Sequence, residues 1–78
     1  MIMRLYVMYD SVANEAGPIY EAKNRGVALR SYQQAMLKCD HPTEFLLYEI
    51  GTFDHESLDL KFTGILEIKP DLATEVEE

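Results

Sequence analysis

Histidines, a cysteine and acidic residues are the side chains in this sequence most able to support catalysis or bind a metal. His41 and His55 each stand beside an acid in a polar segment, but no HxH, HxxxH or HExxH spacing brings two ligands together. Cys39 is the only cysteine, which excludes an intramolecular disulfide and a site made of several thiolates. We therefore expect no metal and no other cofactor.

Nucleophilic catalysis has equally little support. The serines lie outside any GxSxG turn, and the four glycines are too scattered to form a phosphate-binding loop. Glu49 is the one acid inside an apolar segment. It could be a buried acid, although an outward-facing or ion-paired carboxylate is the favoured interpretation. The sequence predicts a protein that is not an enzyme.

The charge is distributed unevenly along the chain. The net charge is −7, with five cations and three acids in residues 1–39 against two cations and eleven acids in residues 40–78. Residues 22–39 contain no acid and four cations, which are Lys23, Arg25, Arg30 and Lys38. These cations could contact the phosphates of a nucleic acid. Alternatively, they form a solvated helix face, or pair with the acidic half of another copy.

Aromatic residues offer a second route to nucleic-acid binding. Tyr6 and Tyr20 lie on predicted strands close to the basic segment, and bases stack on exposed aromatic rings. The alternative is that these rings fill the hydrophobic core, because a chain of this size needs most of its aromatic residues there.

The elements that would position these residues follow from apolar patterning and turn signals. Strands are predicted at Met3–Tyr9, Ile19–Lys23, Phe45–Phe53 and Leu60–Ile68, with a loop at Ser11–Pro18. Asn24 is a good N-cap for a helix that continues to about Cys39. The apolar arc of that helix is predicted to comprise Ala28, Leu29, Tyr32, Ala35, Met36 and Cys39.

This order, β-β-α-β-β, predicts an α+β fold: a small antiparallel sheet of about four strands with one helix packed on a face. We expect residues 1–69 to form one domain and residues 70–78 an acidic, disordered tail. That tail could compete with polynucleotide for the basic segment. Arg4 and Asp10 interrupt the first apolar stretch, so neither a signal peptide nor a membrane segment is predicted.

Two stretches carry a family resemblance. The first has Tyr9-Asp10, then Gly17-Pro18-Ile19 and Ala22-Lys23-Asn24; the second is the continuous segment 41–54, HPTEFLLYEIGTFD. Together they resemble the small non-structural protein of gokushoviruses, which are microviruses with single-stranded DNA genomes that infect bacteria. The similarity extends over roughly residues 3–69. The sequence departs from the pattern at His55-Glu56-Ser57-Leu58, where a glycine is expected in the hairpin turn.

The resemblance implies a bacteriophage accessory protein in the cytoplasm of the bacterial host, acting in genome replication or packaging. Single-stranded DNA is the expected partner, bound by a homo-oligomer that lines up several weak sites. The alternative is a protein–protein interaction module for a phage replication or assembly protein, or for a host factor. Val27 and Leu37, predicted to be exposed on the outer side of the helix, would suit that role.

Overall fold

The sheet is built around its long first strand. The computed structural model describes residues 1–69; the predicted acidic tail at 70–78 lies outside the described residues. The elements in chain order are β1 (Ile2–Asp10), β2 (Glu15–Ala16), β3 (Tyr20–Ala22), α1 (Arg25–Leu37), a short 3₁₀ turn (Pro42–Glu44), β4 (Phe45–Asp54) and β5 (Asp59–Glu67). All strand pairs are antiparallel, and one helix lies on a face, so the predicted α+β fold is confirmed.

Strand β1 pairs with β4 along one edge and with both β3 and β2 along the other. The prediction of a loop throughout Ser11–Pro18 was wrong, because this segment contains the extra strand β2. Pro18 lacks an N–H group and cannot donate a ladder hydrogen bond, which explains why the chain opposite β1 is divided into two short strands. Strand β5 extends the sheet beyond β4.

The helix begins as the sequence predicts. The Asn24 side chain accepts a hydrogen bond from the Val27 amide at 2.9 Å, which satisfies one of the free N–H groups of the first turn. Ala28 and Leu29 of α1 pack against the sheet in a core completed by Tyr6, Ala22, Leu47 and Ile68. The predicted apolar arc is correct at these two helical positions, and Tyr32 packs against the same core, but Ala35 is exposed.

Two hydroxyls attach the helix to the sheet. Tyr20 Oη donates to the carbonyl oxygen of Ala28 at 3.2 Å, and Tyr32 Oη donates to that of Phe45 at 2.7 Å. These bonds run from β3 to α1 and from α1 to β4. They therefore fix the height and rotation of the helix above the sheet.

The β4–β5 hairpin accommodates two irregularities. Gly64 adopts φ +108° where the β4–β5 register shifts, a conformation that glycine reaches without strain. In the turn, Leu58 adopts φ 64°. This is the region in which a glycine was expected from the family pattern, so a leucine here takes a left-handed conformation that costs it free energy.

Candidate nucleic-acid interface

The outward side of α1 and its flanks present three exposed cations. Lys23 precedes the N-cap, Arg30 lies in the middle of the helix, and Lys38 is the C-cap residue. Within residues 1–69, none of the three forms an ion pair with an acid. Arg30 and Lys38 are eight residues apart, or about 12 Å along the axis. The helix itself contains no acidic residue, so no carboxylate of α1 offsets these charges.

Arg25, the fourth predicted contact, has a different role. Its Nε donates a hydrogen bond to Glu49 Oε1 at 3.1 Å, and the side chains of Arg25 and Glu49 are only 19% and 15% exposed. Arg4 Nη1 lies 3.8 Å from the same carboxylate oxygen. Glu49 is thus ion-paired, which is one of the two states that the sequence favoured, but it does not face outward, and Arg25 is committed to holding the first turn of α1 on β4. We regard it as a structural residue.

Tyr6 completes the Glu49 cluster, which also comprises Arg4 and Arg25. Its side chain is 0% exposed, and its hydroxyl donates to Glu49 Oε1 at 3.0 Å. Burial, and after it the charge and hydrogen bond of Glu49, raise the pKa of Tyr6 far above its ordinary value, against a smaller opposing effect of Arg4. The suggestion that Tyr6 stacks on a base was wrong, because the helix covers its ring and no face is accessible.

Tyr20 is also largely committed to the core. Its ring centroid lies 6.0 Å from that of Tyr6, and its hydroxyl is bonded to the helix. Burial raises the pKa of Tyr20 to about 12. Its ring retains partial exposure near the N-terminal end of α1, so of the two tyrosines only Tyr20 keeps any accessible surface.

Sequence reasoning missed the role of Arg4. The signal was present, because Arg4 and Tyr6 are two residues apart on β1 and therefore share the face that the helix covers. The sequence did not show which acid is the partner of Arg4. Glu49 comes opposite Tyr6 only through the register of β1 and β4, which shifts between Leu5 and Tyr6.

The histidines occupy separate places in the fold. His55 Nε2 lies 2.6 Å from Glu21 Oε1, and its ring packs edge-on to Phe53. His41 is exposed beside the 3₁₀ turn, and its Nδ1 is 3.9 Å from a Glu44 oxygen. Across residues 1–69, no three histidine, cysteine or acidic side chains converge as metal ligands would. The same residues contain no helix with the length and apolarity required to cross a bilayer.

These observations define the class of protein: a small α+β protein in which helix α1 and its flanks expose cations to solvent on one side, while the other side of the helix closes a hydrophobic core. A model of the Phage ORF5 protein family matches residues 3–68, and the chain belongs to that family. It is thus a bacteriophage protein by family. No curated protein and no solved structure matches the chain.

Proposed function

We propose that the protein is a non-enzymatic phage accessory protein that binds single-stranded DNA through the outward side of α1. The observation that supports this most directly is the set of exposed cations at Lys23, Arg30 and Lys38. Each is available to a phosphate, because none is neutralised by an acid within the described residues. Tyr20, which keeps partial exposure, lies three positions before Lys23.

The acidic net charge is less of an obstacle than the whole-chain value suggests. Residues 70–78 contain four acids and no cation, so residues 1–69 carry ten acids and seven cations, a net charge of −3. The described acids lie in strands, turns and the 3₁₀ segment, whereas α1 has none. A local positive potential over the helix can therefore coexist with an acidic protein.

The biological setting is part of the same proposal. The resemblance to the gokushovirus non-structural protein, together with membership of the phage family, supports a role in replication or packaging of a single-stranded genome in the host cytoplasm. Three cations make a weak site, so binding would depend on several copies along one strand. The proposed function requires no cofactor.

A fluorescence-anisotropy titration with a labelled single-stranded oligonucleotide tests the proposal at low and near-physiological salt. The variant Arg30→Glu/Lys38→Glu should lower affinity by tenfold or more and reduce the slope of log affinity against log salt by about 1.4, since each phosphate contact to a single strand contributes about 0.7. Arg30→Glu alone should be compared with Lys69→Glu, which makes the same charge change at an exposed position beyond β5. Arg25 should be left intact, because its replacement would disturb the fold.

Absence of binding at low salt would overturn the proposal, and so would equal losses for Arg30→Glu and Lys69→Glu. The second candidate function is then a protein-interaction module. Val27 and Leu37 favour it, because both are exposed on α1 and Leu37 is 85% accessible. An apolar contact of this kind would change little with salt, whereas phosphate binding weakens steeply.

A further inference from the structure

The face of the sheet opposite α1 is apolar and uncovered within residues 1–69. Side chains alternate along a strand, so Leu5 and Val7 of β1 point away from the helix that covers Tyr6. Neighbouring strands add further apolar residues on this side. We call this surface the open face and define it by Leu5, Val7, Ile50, Leu60, Phe62 and Ile65, which line two adjoining recesses that share Ile50.

The open face has a floor and a raised side. Leu5 and Val7 are 8% and 6% exposed and form the floor, whereas Leu60, Phe62 and Ile65 on β5 are each about two-thirds exposed or more. Ile19, on the far side of β1, rises beside the first recess. Projecting apolar side chains therefore lie next to apolar recesses. A surface that pairs with a copy of itself requires this arrangement, because the projections of each copy fill the recesses of the other.

The exposed area of the open face is that of a large apolar patch. Its three β5 side chains and Ile19 together expose on the order of 500 Å² of mostly apolar surface, to which the buried floor adds little. This lies toward the upper end of the roughly 300–600 Å² found for the largest apolar patch on a monomer, a patch that is often functional. A standard interface buries roughly 800 Å² on each partner, so residues around the open face must supply the remaining area.

Charge selects among the possible occupants. Among residues 1–69, Lys61 is the only charged residue that lines either recess, and its ammonium lies 3.5 Å from an Asp59 carboxylate oxygen. The recesses offer no cluster of cations to the phosphates of a nucleic acid. They also offer few charges that could pair with those of a strongly charged protein. A second copy of this acidic chain would be repelled at most surfaces, but at this one it brings the same apolar face, whose two recesses are lined by no acid within residues 1–69.

We propose that the open face binds a second copy of the chain, face to face about a twofold axis. Phe62 and Ile65 of each copy enter the recesses of the other, and the two sheets stack about 10 Å apart. Both α1 helices then lie on the outside of the dimer. The pairing also adds a second layer to the small hydrophobic core, which increases the apolar surface that each chain buries. The inference does not depend on the proposed DNA binding.

Sedimentation equilibrium of the full chain over a range of concentrations tests this inference. The wild type should approach twice the 9.0 kDa chain mass. Phe62→Glu should weaken self-association roughly 30-fold or more, since it places a charge at the centre of the interface. Leu37→Glu is the matched control, because it changes an exposed apolar residue on the helix in the same way and should leave the dimer intact.

Circular dichroism of each variant separates loss of pairing from loss of fold. If Phe62→Glu is unfolded, Ile65→Ser is the milder replacement and should weaken pairing in the same direction. A wild type that stays monomeric at every concentration overturns the inference. So does a dimer that persists in folded Phe62→Glu and Ile65→Ser, since β5 edges or the helices would then form the contact.

Discussion

Replacing Arg25 with glutamate should destabilise the fold before any effect on a ligand arises. In the native structure the guanidinium donates to Glu49 at 3.1 Å, and the fully buried Tyr6 hydroxyl donates to the same oxygen. The substitution removes this cation and places a second carboxylate beside Glu49. Because both Arg25 and Glu49 are largely shielded from water, solvent screens the new repulsion only in part.

The magnitude follows from the geometry. Two unit charges about 4 Å apart near a protein surface interact by about 4 kcal/mol at an effective dielectric constant of 20. Part of this is offset, because the desolvation cost of the arginine disappears with it. Arg4 also remains 3.8 Å from the Glu49 oxygen. We expect a loss of about 2–3 kcal/mol in the free energy of unfolding, equivalent to roughly 8–24 °C in Tm for a domain of this size.

Urea unfolding followed by circular dichroism, at one fixed protein concentration, measures this loss. Arg30→Glu is the matched control, because it makes the same charge change in the same helix at an exposed position. It should stay within about 0.5 kcal/mol of the wild type. Adding Glu49→Gln to Arg25→Glu should recover about 1 kcal/mol relative to Arg25→Glu alone, since the repulsion between carboxylates is removed.

Two results would refute this reasoning. Equal stability of the Arg25→Glu and Arg30→Glu variants would mean that the Arg25–Glu49 pair contributes nothing to the fold. A further loss of stability on adding Glu49→Gln would mean that repulsion is not the cause. In the first case Arg25 would return to the set of available phosphate contacts, and the proposed DNA interface would gain a fourth cation.

Three further changes test other features of the fold. Gly51→Ala should cost about 2–3 kcal/mol, because the added Cβ would collide with a backbone carbonyl oxygen of β5, whereas Gly17→Ala has room and should be near neutral. Leu58→Gly should raise the free energy of unfolding by about 0.5–1 kcal/mol by relieving the left-handed turn residue, and Ser57→Gly, without a positive φ, should not. Stability should also decline as pH rises from about 10 to 12, because Tyr20 ionises at its ordinary pKa in the unfolded chain but only near 12 when folded. Urea titrations at a series of alkaline pH values should show this decline becoming shallower in Tyr20→Phe; an unchanged slope would contradict the assignment.

Local signals in the sequence were sufficient for most of the secondary structure. Asn24 followed by good helix formers fixed the start of α1, and the apolar runs placed β1, β4 and β5 to within one or two residues. The exposure of Val27 and Leu37 was also predicted correctly, because helical periodicity separates them from the core-facing arc. Strand β2 was missed, since two paired residues leave no periodic pattern to detect.

The candidate site depended on information of longer range. The period of a strand shows that Arg4 and Tyr6 share a face, but it does not show that the helix covers that face. Only the packing of α1 on the sheet buries Tyr6 and brings Arg25 to Glu49, which is 24 residues away. The sequence by itself therefore determined most of the elements and the basic character of the helix. The tertiary structure decided which cations remain available to a ligand and which apolar face stays open, because both depend on contacts between residues far apart in the chain.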